Sequence, residues 1–255
     1  MERLGVRIET GAELGVNLTL DGLRSGFDAV FLGLGLGATL ALGIPGEEWI
    51  LDGLAYIEQS KTASAGMQIG REVVVIGAGN TAIDCATIAA RLGAARVTMV
   101  YRRSEHEMTA YAHERDFIRK EGVQFRFLTQ PVRVIAEGGR VTGLACVAME
   151  LAANPDASGR RAPKPSGSPE FLIPADQVVK AIGQEKPTLA QSLGLAIERG
   201  YIQVNASLET SIPGVFSGGD CIRAKGAAST VMAVQDGKLA AAAIHQRLEA
   251  GGKHG

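Results

Sequence analysis

Gly77, Gly79 and Ala82 stand at the spacing of a turn that can admit a diphosphate. They follow Val73-Val74-Val75-Ile76, a continuous apolar run of the kind a parallel strand shows when both its faces are covered. They also open a stretch of helical character that begins Asn80-Thr81-Ala82-Ile83. In that setting Gly77 permits the tight turn, Gly79 lets the backbone come close to a pyrophosphate, and Ala82 is small enough for the helix to pack on the strand. The N–H groups near Asn80 and Thr81 and the partial positive charge of the helix end then face the phosphates. The chemistry implied is the holding of a dinucleotide.

The end of the next strand, Val97-Thr98-Met99-Val100-Tyr101, decides which dinucleotide. An acid there would bind a ribose 2′-hydroxyl, whereas arginine accommodates a 2′-phosphate. The chain has Arg102 and Arg103 and no acid before Glu105. Guanidinium groups meet phosphate oxygens two at a time, so NADP(H) is preferred. NAD(H) stays open, because Glu105 or Glu107 could swing in. A second polar constellation, Gly218-Gly219-Asp220 after a strand and Ser229-Thr230 at the head of the final helix, could bind a cofactor hydroxyl and favour negative charge on a reduced ring. Taken alone, those residues are better explained by an ordinary aspartate turn. Asp84 is either structural or orients the glycine turn.

Other chemistries find little support. His106, His113, His245 and His254 have no metal or triad spacing, and Cys85, Cys146 and Cys221 form no CxxC pair. A zinc site, an iron–sulfur cluster or a redox-active disulfide within this chain is therefore not expected. A net charge of −1 gives no reason to expect nucleic acid or an anionic membrane as partner. The N-terminal residues have no apolar signal core, and the longest apolar run, 29–44, is too short and too glycine-rich for a bilayer span of roughly 20 residues. A soluble cytoplasmic protein in a reducing compartment is the natural expectation.

The elements that must hold these residues read as follows. Residues 71–103 form a βαβ unit whose helix, 81–92, stops at Gly93. A second helix is expected over 105–120, then a strand through Val123, Phe125 and Phe127, and then a hairpin about Gly138-Gly139. Residues 154–169, rich in Pro, Ser, Gly and Arg, suggest an exposed loop, and Val178 to Gly183 return to the sheet. Strands near 28–36 and 215–220 and an alanine-rich helix near 229–248 lie outside this block. A central nucleotide-binding domain inserted between two pieces of another follows.

Four motifs coincide: Gly77-Ala78-Gly79-Asn80-Thr81-Ala82-Ile83-Asp84, Val100-Tyr101-Arg102-Arg103-Ser104, Ala181-Ile182-Gly183-Gln184 and Gly218-Gly219-Asp220-Cys221. Together they resemble the FAD-dependent pyridine-nucleotide oxidoreductases of the glutamate synthase small-subunit and dihydropyrimidine dehydrogenase group. The likeness leans toward the dihydropyrimidine dehydrogenase branch through the turn 31–37 and the stretch 229–238. The resemblance implies an α/β FAD/NAD(P)-binding fold of two dinucleotide domains, Rossmann-like and three-layered. Its FAD-binding parts would be residues 1–64 and 185–255, and its NAD(P)H-binding domain 65–184. It also implies NAD(P)H at Gly77, Gly79, Asn80, Thr81, Arg102 and Arg103, with Gly183 near the nicotinamide. FAD would meet Gly33, Gly35, Gly219, Asp220, Ser229 and Thr230. Hydride would pass from nicotinamide to flavin, and electrons would leave through iron–sulfur clusters carried in the missing N-terminal region or by a catalytic partner. No side chain of this chain need act as acid or base. Members of the group carry iron–sulfur cysteines and a first strand–turn–helix for the ADP half of FAD ahead of the point where this chain starts. A fragment with weakened flavin retention is therefore expected.

Overall fold

The structure is a computed structural model and describes residues 2–63, 66–155, 159–223 and 228–251. Along the chain come α1 (Leu20–Gly26), β1 (Val30–Leu32), β2 (Leu51–Asp52), α2 (Gly53–Thr62), β3 (Glu72–Ile76), α3 (Asn80–Arg91), β4 (Arg96–Val100), α4 (Ala112–Lys120) and β5 (Gln124–Arg126). They are followed by β6 (Thr129–Glu137), β7 (Arg140–Pro155), β8 (Arg161–Pro165), β9 (Phe171–Pro174), β10 (Gln177–Lys180) and α5 (Leu189–Ser192). The chain closes with β11 (Ile197–Glu198), β12 (Tyr201–Ile202), β13 (Val215–Ser217) and α6 (Thr230–Gly251). It divides into two compact units: Thr39–Gln184 forms one, and Met1–Ala38 with Glu185–Gly255 forms the other. The division falls at 38/39 rather than the expected 64/65, because β2 pairs with β10 and so belongs to the central sheet.

The central unit is built on a five-stranded parallel sheet in the order β2-β10-β3-β4-β5. The valine run of β3 explains its place. Val73 and Val75 pack with Tyr56 of α2 and with Ala82, Ala86 and Ala89 of α3. Val74 and Ile76 point the other way, into a core shared with Val134, Leu144 and Ile173 of the antiparallel sheet β6–β9. Side chains alternate between faces along a strand, so a strand covered on both sides must be apolar at every position. α3 stops where the sequence says it should: Gly93, at φ +105, takes the left-handed backbone that ends the helix.

Two expectations for this unit need correction. The helix expected over 105–120 is interrupted. Ser104 and Glu107 close a capping box around a single 3-10 turn, Glu105–Glu107, and α4 begins only at Ala112. Residues between them run extended over the glycine turn, where Ala110 N–H donates to the Ala78 carbonyl at 3.1 Å. The expected loop 154–169 is partly sheet: β7 runs to Pro155 and pairs antiparallel with β8, for example Leu151 with Pro163. Pro163 and Pro165 lack the N–H that the ladder uses, which hid this edge strand from a reading by composition.

Glu47 ties the entrance of this unit together. Its carboxylate accepts hydrogen bonds from the Leu42 and Gly43 N–H groups at 2.9 and 2.8 Å and from Lys180 Nζ at 2.6 Å. The Lys180 hydrogen bond, aided by the two backbone N–H groups and opposed by desolvation, holds its carboxyl down from 4.5 to about 2. A carboxyl depressed on folding adds stability above its unfolded value and loses it as pH falls toward the folded one. Glu47→Gln is expected to flatten the urea-stability curve between pH 4.5 and about 2. At neutral pH the variant should be weaker by about 2 kcal/mol. A variant curve parallel to the wild type over that window would remove Glu47 from the acid response.

The other unit holds a two-stranded parallel sheet, β1 beside β13, with Val30 opposite Val215 and Leu32 opposite Ser217. Leu20, Ala190, Leu195 and Ile202 pack with these strands, and Ala240 of α6 packs on Phe216. No helix among the described residues is long and apolar enough to cross a membrane.

Candidate functional site

In the central unit a cleft of about 490 Å³ opens at the carboxyl ends of β3, β4 and β10. Parallel sheets place ligands at that edge. Six of the residues expected from the sequence line it: Gly77, Gly79, Thr81, Arg102, Arg103 and Gly183. The turn at its floor is tied on both sides, with Gly77 N–H donating to Val100 O at 3.0 Å and Ala181 N–H to Ile76 O at 2.8 Å. Gly77 has φ +136, and a Cβ there would lie 2.1 Å from the Ala181 carbonyl oxygen, so only glycine fits. Gly79 differs. Its backbone is ordinary (φ −94), and a Cβ would meet only Thr109 Oγ1 at 3.4 Å. It caps α3 without a side chain, so no side-chain oxygen occupies the first N–H groups of the helix and they remain available to an anion.

Asn80 and Ala82 do not line the cleft. Asn80 Oδ1 accepts the Tyr111 N–H at 3.3 Å and so braces the loop that follows the 3-10 turn. Ala82 is fully buried beneath Gly77, as close packing of helix and strand requires. Thr109, Gln130, Pro131 and Arg160 line the cleft without having been foreseen. Thr109 lies on the loop over the glycine turn, Gln130 and Pro131 on β6 and Arg160 on the turn before β8, all far in sequence from the glycine motif.

The electrostatics are one-sided. Arg102, Arg103 and Arg160 line the cleft, and among the described residues no carboxylate does. Arg102 is exposed, whereas Arg103 is 8% exposed and donates from Nε to the Arg161 carbonyl at 3.1 Å. The two acids that could have served an NAD ribose are engaged elsewhere. Glu105 pairs with Arg119 at 2.8 Å and Arg115 at 3.3 Å. Glu107 is buried and accepts from Ser104 and from Arg161 Nε and Nη2, the latter two at 2.9 and 2.8 Å. Burial pushes its carboxyl up, but hydrogen bonds from Ser104 and Arg161 outweigh that and keep it below the ordinary range.

In the other unit the second constellation is spread over the turns after β1 and β13 and the start of α6. Gly33 follows β1 directly, and Gly35 turns with φ +64. Gly219, at φ +78, donates its N–H to Asp236 Oδ2 at 2.8 Å, and Arg223 pairs with the same carboxylate. Asp220 is half-buried and Thr230 exposed, while Ser229 Oγ accepts the Met232 N–H at 3.3 Å and caps α6. Asp236, a buried acid deep in the alanine-rich helix, is the structural partner of this turn that the sequence did not suggest. Residues 224–227, at the approach to α6, lie outside the described residues.

The remaining candidates separate plainly. Cys85 and Cys146 are buried with thiols pushed up to about 12 by burial, and Cys221 is buried as well, so none is placed as a nucleophile. Asp84 is exposed and does not line the cleft. His106, His113 and His245 are exposed, and His254 lies outside the described residues.

The sequence pattern described as pyridine nucleotide-disulphide oxidoreductase matches residues 2–237. The chain belongs to this family. Among relatives of this pyridine nucleotide-disulphide oxidoreductase, the NADP(+)-dependent formate dehydrogenase subunit beta of Moorella thermoacetica is 40% identical over 98% of the chain and 36% of that protein. The NADPH-Fe(3+) oxidoreductase subunit beta of Geobacter sulfurreducens is 36% identical, over 97% of the chain and 41% of the relative. The glutamate synthase [NADPH] small chain of Escherichia coli is 33% identical, over 96% and 56%. The chain thus spans between about a third and just over half the length of these relatives. Mycobacterium tuberculosis FprA in complex with NADPH has the same fold, with a TM-score of 0.71 at 19% identity over 94% of this chain and 68% of that one. The fold of T. acidophilum thioredoxin reductase is also similar, with a TM-score of 0.67 at 21% identity, covering 86% of this chain and 65% of that one. The fold is therefore the FAD/NAD(P)-binding α/β fold expected from the sequence.

Proposed function

We propose that this chain binds NADPH in the central cleft, accepts its hydride on FAD held by the other unit, and passes electrons to a catalytic partner subunit or domain. The observation that carries the reading is the cleft itself: a glycine turn with an uncapped helix end, lined by three arginines and no described carboxylate. A diphosphate meets the helix end, and a 2′-phosphate answers the arginines. Gly33, Gly35, Gly219, Asp220, Ser229 and Thr230 suit FAD: the first four follow the carboxyl ends of β1 and β13, the last two open α6, and Asp220 can accept from a cofactor hydroxyl. FAD, when bound, supplies the conversion of a two-electron donor into one-electron delivery; the protein supplies position and charge.

The acceptor reading stays with the dihydropyrimidine dehydrogenase-like arrangement, in which electrons leave through iron–sulfur clusters outside this chain. A glutamate synthase small-subunit role is the second reading, favoured by the Escherichia coli relative. Supplying the chain with FAD and NADPH and following an artificial one-electron acceptor tests the shared part. Steady acceptor reduction is expected. NADPH binding without any turnover in the presence of FAD would instead identify a non-catalytic NAD(P)-binding module.

A further inference from the structure

We infer that Arg160, on the turn that leads into β8, is a specificity-determining residue that completes the 2′-phosphate subsite; this rests on the NADPH reading above. Arg160 and Arg161 stand side by side, Arg161 paired with Glu107 and Arg160 in the lining of the cleft. Arg161 turns to Glu107, where Nε and Nη2 both reach Oε1, at 2.9 and 2.8 Å. Glu107 is in turn locked to Ser104 through its capping box, immediately after Arg102 and Arg103. Arg103 closes the loop from the other side by donating Nε to the Arg161 carbonyl at 3.1 Å. The β8 edge is therefore clamped to the segment after β4 by two contacts, both made by Arg161. The residue next to that clamp, Arg160, lines the same cleft as Arg102 and Arg103.

The arrangement fits a dianion better than a hydroxyl. Three arginines from two separate segments line a cleft whose described lining has no carboxylate. Like charges brought together in this way favour a doubly charged ligand group, and planar forks match phosphate oxygens. Glu107 faces Arg161 and is a positioning residue: it holds the β8 edge where Arg160 can reach the ligand.

Calorimetry on the full chain with 2′,5′-ADP, NADPH and NADH tests this. Arg160→Ala is expected to weaken 2′,5′-ADP and NADPH about tenfold while NADH changes less than about twofold, the loss of one charge-assisted contact. Arg160→Lys should recover part of the loss. Glu107→Gln should shift NADPH in the same direction by a smaller factor, and the NADPH/NADH ratio is the readout a merely structural role would not move. The proposal is overturned if Arg160→Ala leaves NADPH affinity unchanged, or if it weakens NADPH and NADH equally. Failure of the wild type to bind either NADPH or 2′,5′-ADP would overturn the coenzyme reading itself, which separates the two.

Discussion

Gly77→Ala is expected to lower the unfolding temperature by roughly 6–12 °C, whereas Gly79→Ala leaves it nearly unchanged and abolishes most coenzyme binding. The two glycines belong to one motif, but the structure gives them different reasons to exist. At Gly77 a methyl group meets the Ala181 carbonyl at 2.1 Å with φ at +136, and the strands on either side are hydrogen-bonded in place. The turn cannot relax without disturbing the β3–β10 pairing, a cost of about 3 kcal/mol. At Gly79 alanine fits the backbone and the protein, with Thr109 Oγ1 at 3.4 Å as its nearest neighbour. Its methyl group would instead stand where a diphosphate approaches the first turn of α3, and affinity for NADPH should fall about 100-fold. Thermal melts and calorimetry on both variants check the pair. Equal stability losses at the two positions would show that Gly79 is also a packing residue and not the point of ligand approach.

Arg102→Ala is expected to weaken NADPH by about 10- to 100-fold and NADH by less than about threefold, as the loss of contacts to a charged phosphate dictates. The single variant is more informative than removing Arg102 and Arg103 together. Arg103 is buried and spends Nε on the Arg161 carbonyl, so its loss would also loosen the β8 edge and mix a structural effect into the binding. Arg102 is exposed on the cleft wall and carries no such duty that the described contacts record. Equal losses for both coenzymes would refute a 2′-phosphate role for Arg102.

The parts of this molecule legible in the sequence are those fixed by local rules. β3 could be read because a strand covered on both faces has no polar positions, and the turn after it because Gly77 needs a backbone that other residues avoid. Arg102 and Arg103 could be placed because the end of the second strand always faces the same crevice. What stayed hidden depends on partners distant in sequence. The break between residues 107 and 112 comes from Ser104 and Glu107 capping a single turn, while Asn80, 31 residues before Tyr111, fixes the loop beyond it. β8, with its prolines, is a strand only because β7 runs long enough to receive it. Asp236 looked like one polar residue in an alanine-rich helix, yet it is the acceptor that shapes the Gly219 turn.

In the proposed reading, amides at the start of α3 grip the diphosphate of a nicotinamide coenzyme. Titrating the folded chain with NADPH, NADP⁺, NADH and NAD⁺ in a calorimeter measures this directly. Saturable heat is expected, with the phosphorylated coenzymes bound at least about tenfold more tightly. Absence of heat with all four, or tighter binding of the pair lacking the 2′-phosphate, would contradict it.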